Sequence, residues 1–314
     1  MVRTDPVSIR GPARDHRAAS NFAFIGALLF VISALLYIDG IAIENSARVN
    51  APGGMDAYKQ LNVTNLQALW AGRRAAQGAI LSAEFTGALA WFSLMPPVAA
   101  FTAQLGGSSR SANGIVTSCF NGVALITLVD LTFQAGTISL VDWISSWDII
   151  QGATEQHARD GGFGALQSLE IAFMVGQSRT VWLFAMDEML LTIGLATCAF
   201  LVYTARGHSA PFASGFAHLS VVIAFVALVG FIFHVARLFS WRAMMTATAV
   251  ATGLVYLVLL PVWLVWLGVQ LRNRSEEVAY SKNVEMPRDD VEMASPARQQ
   301  PVGGVITSDV AERA

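Results

Sequence analysis

The stretch FAFIGALLFVISALLYIDGIAI, Phe22 to Ile43, decides the fold. It carries one acid, Asp39, and no lysine or arginine. As a helix rising ~1.5 Å per residue it spans roughly 30 Å, the thickness of a bilayer's hydrocarbon core. The residues before it, MVRTDPVSIRGPARDHRAAS, are polar and include Arg3, Arg10, Arg14 and Arg17. A secretory leader has an apolar core of only about 7–15 residues. The stretch therefore reads as a first membrane span, about 22–42, rather than a cleaved signal.

Blocks of the same kind recur along the chain, at about 77–102, 114–140, 183–204, 212–236 and 243–268. The composition agrees: 54% of the residues are hydrophobic and 13% charged, against about 25% charged in an ordinary soluble domain. Mean hydropathy is +0.52. The fold expected is an all-α, polytopic transmembrane bundle of about six spans. A polar N-terminal tail covers 1–20, the bundle 21–270, and an acidic C-terminal tail expected to be disordered 271–314.

Two connections are long. The first, 44–76, contains the turn signal Ala51-Pro52-Gly53-Gly54. Its second half, Thr64 to Arg74, has Leu66, Leu69 and Trp70 on one helical face and can run straight into span two. The second, 141–181, holds Trp143 and Trp147 and an amphipathic candidate from Ala165 to Met174. Aromatic residues beside polar ones fit interfacial helices in the headgroup region. Both connections are candidate surfaces for a protein partner, with membrane lipids around the spans. Pro96-Pro97 should kink or end the helix of span two, and Pro261 lies within span six.

An even number of spans puts both termini on one side. The basic N-terminal tail, with Arg272, Arg274 and Lys282, favours the cytoplasmic side. Arg73, Arg74, Arg179, Arg237 and Arg242 weigh the other way. The membrane is a plasma membrane or an endomembrane. Asn62-Val63-Thr64 would be an exposed glycosylation sequon in a secretory context, making Asn62 a modification candidate.

Ionisable residues inside spans are costly, and each is a functional hypothesis. In span three, Cys119, Thr127, Asp130, Gln134 and Thr137 fall within ~80° at ~100° per residue. Such a face either lines a polar path or bonds a neighbouring helix. Glu84 of span two should face protein or water, paired with His218, an arginine or a backbone group. Asp187 and Glu188 sit in the expected first turns of span four, where acids complement the helix dipole. His234 and Arg237 read as an interface anchor. His218 and His234 are ~24 Å apart on one helix and cannot share a metal. The polar candidates are thus Glu84, Asp130, Gln134 and His218.

Other classes find no support. The net charge of −2, without a basic run, points away from nucleic acid. Lys59 and Lys282 are the lysines, both outside the spans. The sequence has no Walker loop, dinucleotide fingerprint or nucleophile elbow, and it implies no cofactor and no metal. Cys119 and Cys198 read as small buried residues.

The layout resembles six-span bacterial membrane proteins of uncharacterised function. The likeness lies in the long first loop, the hairpin Tyr203-Thr-Ala-Arg-Gly-His-Ser-Ala-Pro211 and the closing Leu260-Pro-Val-Trp-Leu-Val-Trp-Leu-Gly268. The acidic tail departs from that pattern. The resemblance implies no activity and transfers no site residues. Two functional readings follow from the residues. The first is a non-catalytic scaffold, sensor or accessory subunit. The second is a small-solute or proton-coupled transporter or channel using the intramembrane acids. An enzyme is the weakest reading, because no nucleophile, base and metal set can be assembled.

Overall fold

The computed structural model describes residues 11–49, 63–105, 110–144, 165–205, 212–239 and 241–285. Among these the regular structure is all helical. In chain order the helices are α1 (Gly11–Val49), α2 (Val63–Ser93), α3 (Met95–Gln104), α4 (Arg110–Ile144), α5 (Ala165–Thr204), α6 (Ser214–Phe239), α7 (Trp241–Gly253) and α8 (Leu260–Glu285). A π segment, Leu254–Leu259, joins α7 to α8.

Six helical stretches are long and apolar enough to cross a bilayer: Asp15–Ala47, Ala71–Gln104, Arg110–Thr137, Arg179–Thr204, Ser214–Ala236 and Ala247–Glu277. The protein is an integral membrane protein of six-span bundle type. Helices suit that solvent because lipid offers backbone groups no partner. Hydroxyls in the spans meet the same demand by bonding back one turn. Thr132 donates to the Leu128 carbonyl at 2.9 Å and Thr197 to the Ile193 carbonyl at 2.7 Å.

The spans form a ring. Each packs on its neighbour in sequence, and the last closes onto the first. Successive spans are antiparallel, so α1 begins and α8 ends on the same side, here the terminal side. There Ser20 Oγ donates to the Gly268 carbonyl at 2.8 Å. The opposite, distal side receives the end of α1, the start of α2 and the start of α5.

Close packing rests on small residues, which stand in for a hydrophobic drive that lipid does not supply. A Cβ on Gly26 would lie 2.5 Å from Ser93 Oγ, and one on Gly40 2.9 Å from Ile80 Cγ1. Those glycines bring α1 against α2. Large apolar side chains such as Leu28, Phe85, Leu125 and Phe225 point outward, as lipid-facing residues can.

Span two breaks where its prolines predict. Helix α2 stops at Ser93, Leu94 bridges, and α3 restarts with Pro96 in its first turn. The helical pieces expected in the two long connections are present as extensions of spans, since α2 starts at Val63 and α5 at Ala165. One boundary is corrected. The tail expected to be disordered from 271 is helical as far as Glu285. Charged pairs three and four residues apart support that extension, with Arg274 Nη1 2.9 Å from Glu277 Oε2 and Arg272 Nε 3.8 Å from Glu276 Oε1. The remaining tail, 286–314, lies outside the described residues.

Candidate functional site

The polar face of α4 is directed at α5 along its length. Cys119 packs against Gly194, Thr127 Oγ1 lies 3.5 Å from Asp187 Oδ2, and Thr137 Oγ1 lies near Gly176. Between them, Gln134 Nε2 donates to Thr180 Oγ1 at 3.1 Å, and Thr180 Oγ1 donates to Asp130 Oδ1 at 3.3 Å. Asp130 and Gln134 are both buried. One hydroxyl of α5 thus joins two of the residues singled out in the sequence.

Glu84 arrives from α2. It is buried, and its carboxyl lies within electrostatic reach of Asp130 and Arg73. Arg73 Nη1 donates to Glu44 Oε2 at 3.3 Å, a buried link between α2 and α1 on the distal side. Arg73 therefore shares its charge between Glu44 and the acids deeper in the bundle.

Asp187 and Glu188 complete the group, and here the sequence reading needs correcting. They were expected in the first turns of a span, as partners of the helix dipole. Because α5 begins at Ala165, they lie in its middle, 5% and 0% exposed. A dipole acts over the first turn only, so their role lies in side-chain contacts. Asp187 feels the charges of Asp130, Glu188 and Glu84. Its Oδ1 is buried and has no hydrogen-bond partner among the described residues.

Glu188 is held from two directions. His234 Nδ1 lies 2.7 Å from Glu188 Oε2, and Thr252 Oγ1 donates to Glu188 Oε1 at 2.9 Å. This carboxyl joins α5, α6 and α7. His234, expected as an interface anchor, is buried at 3% exposure with its ring stacked on Phe184. Gly230 makes the contact feasible, because a Cβ there would sit 2.6 Å from Glu188 Oε1.

Three rings of α1, α2 and the π segment pack together. Phe30 meets Trp91 edge-on at 5.0 Å, and Tyr256 lies 6.1 Å from Trp91 and 6.3 Å from Phe30. Tyr256 belongs to the π segment and lies within electrostatic reach of Asp187 and Glu188. π-turns recur at functional sites. This one has local causes in Gly253 before it and Pro261 after it, the latter unable to donate to the helix ladder.

The terminal half of the bundle is different in kind. Trp263 stacks between Phe120 at 5.9 Å and Phe216 at 5.1 Å, and Phe101 meets Phe212 at 4.8 Å. The indole Nε1 of Trp263 donates to Ser220 Oγ at 2.8 Å. A polar distal half is thereby closed off by an aromatic plug on the terminal side.

The remaining candidates lie elsewhere. His218 is exposed, with Nδ1 2.7 Å from the Ser214 carbonyl and its ring edge-on to Tyr203, and the structure does not bring it to Glu84. Asn62 lies outside the described residues, as do 50–62 and 145–164 of the two long connections proposed to meet a partner. Both cysteines are buried and free. Among the described residues no three His, Cys, Asp or Glu side chains converge to hold a metal.

The sequence reading missed Glu188, His234 and Thr252 as one set. The available signal was an adjacent acid pair, Asp187-Glu188, inside an apolar run, with a histidine on the next span. Comparison of the chain with family models, with curated proteins and with solved structures finds no match.

Proposed function

We propose that this protein moves protons, alone or coupled to a solute, through the interior of its bundle. The observation that carries this reading is the convergence of Glu84, Asp130, Asp187 and Glu188 from α2, α4 and α5. Carboxylates at such depth each cost at least ~2.5 kcal/mol on insertion scales. Their mutual repulsion in a low dielectric is relieved by bound protons or cations. Thr127, Thr180 and Gln134 add hydroxyl and amide groups between them, the materials of a proton relay. The acids lie toward the distal side, so entry is from there, with the plug around Trp263 as the barrier to be passed.

The test is Asp130→Asn. Asparagine keeps the shape and the hydrogen-bonding capacity and removes the exchangeable proton. In proteoliposomes under an imposed pH gradient, the wild type should move protons and the Asn variant should not, with equal thermal stability. Asp130→Leu should lose roughly 1–3 kcal/mol of stability, because Thr180 loses its shorter acceptor and keeps the Gly176 carbonyl at 3.5 Å. A wild type that moves no protons, together with a silent Asn variant, would leave the non-catalytic scaffold, sensor or accessory subunit. On that reading the same contacts are interhelical ties, and Glu188 with His234 and Thr252 is the best of them.

We further infer that the terminal side is cytoplasmic, from the arginines of the N-terminal tail and those near the end of α8. Cysteines introduced at Ser109 and at the exposed Glu276 should then be labelled from the cytoplasm, and one at Asn62 from outside. Labelling of the first two from opposite faces would refute the topology.

A further inference from the structure

Within the acid group one charge-bearing atom is left over. The Oδ1 of Asp187 is buried, without a hydrogen-bond partner among the described residues, on a side chain 5% exposed. Buried acceptors are nearly always satisfied, and an unpaired one loses the full desolvation penalty. The neighbours of Asp187 worsen the deficit, since Asp130, Glu84 and Glu188 are acids. His234 and Thr252 are already engaged on Glu188. Arg73 acts on Glu84 and Asp130, whereas the charges that reach Asp187 are all negative.

The surroundings say what kind of positive partner fits. Trp91 lies two helical turns from Glu84, on the same face of α2. It packs with Phe30 and Tyr256 into one ring cluster, whose Tyr256 lies within electrostatic reach of Asp187 and Glu188. An inorganic cation asks for oxygen ligands on all sides and gains little from ring edges. A cation with a hydrocarbon body uses both elements, its charge on the carboxylate and its body on the ring faces. We propose that Asp187, Glu84 and the Phe30–Trp91–Tyr256 rings form a binding site for an organic ammonium ion. Within the transport reading, on which its use as a carrier site rests, the ammonium competes with protons for the same carboxyls. Binding itself is measured without transport.

The experiment uses the purified full-length chain in detergent, with phenethylammonium as the probe and phenethyl alcohol as its uncharged counterpart. Calorimetry should show saturable binding of the ammonium and none of the alcohol. Asp187→Asn and Glu84→Gln should each weaken binding at least ten-fold while the thermal transition stays in place. The second variant carries the test if the first fails to fold. Sodium chloride at matched ionic strength should compete no better than choline chloride. Binding of the alcohol equal to that of the ammonium, binding unaffected by both substitutions, or selective displacement by sodium would each overturn the proposal. Proton movement in liposomes without ammonium binding overturns this inference and leaves the transport reading standing. Ammonium binding without proton movement does the reverse.

Discussion

Replacing Gly230 by alanine should unfold the bundle more readily by about 2–4 kcal/mol, although it adds a single methyl group. The added Cβ would fall 2.6 Å from Oε1, 2.8 Å from Oε2 and 2.8 Å from Cδ of Glu188, inside any tolerable contact. Elsewhere a flexible side chain could swing aside. Glu188 is fully buried and fixed at both oxygens, by His234 at 2.7 Å and Thr252 at 2.9 Å, so moving it strands both partners. Breaking a buried, hydrogen-bonded pair in this way is among the most damaging single changes a core can take. Thermal unfolding in detergent measures the loss. A double variant, Glu188→Ala with Gly230→Ala, gives the check on mechanism. Once the carboxyl is gone the methyl has room, so the two effects should fall well short of adding. Additive losses would place the damage elsewhere, in the backbone of α6.

Trp263→Ala should be equally disruptive, with a different signature. The indole is fully buried, stacked by Phe120 and Phe216, and bonded to Ser220. Truncating a buried tryptophan in a soluble core costs roughly 3–5 kcal/mol. In a bilayer much of the transfer contribution is absent and the lost packing remains, while Ser220 loses a donor but keeps its own bond to the Phe216 carbonyl, so about 3 kcal/mol is expected. The functional consequence follows from position. The ring cluster separates the acids from the terminal side, and a cavity there should admit water. Trp263→Ala proteoliposomes should therefore leak protons at a rate that Trp263→Phe, which keeps a ring in the stack, does not reach. A tight Trp263→Ala variant would show that the plug is not the barrier.

The fold was legible in the sequence because length and hydropathy are enough to mark spans, and six blocks such as Phe22–Ile43 leave little choice. The rotation of α4 was legible too. Its polar residues share one face, and a polar face in a membrane must turn toward protein. What escaped was the partnership of Glu188 with His234 and Thr252. That depended on where α5 begins. A start near 183 makes Asp187 and Glu188 terminal, and a start at Ala165 makes them central. Helix beginnings are weakly written when the leading turns, here from Ala165, are mildly apolar and lack a proline or a clear cap. Tyr256 escaped for another reason. Its direction is set by a π segment, and the usual 100° step per residue does not hold across one.

That segment also fixes the tolerable length of the chain. A π-turn holds more residues than an α-turn, so Leu254–Leu259 amounts to an insertion absorbed within a helix. Deleting one codon there would let α7 and α8 fuse into a regular helix with little relative rotation, and deleting a second would rotate one half against the other by roughly 100°. Thr252 would then turn away from Glu188, or Trp263 from Ser220, although no residue of either pair had changed. Substitution of Val258 is cheap by comparison, since its exposed side chain faces outward. Descendants of this sequence are free to vary the lipid-facing letters of the segment and bound to keep their number to within one.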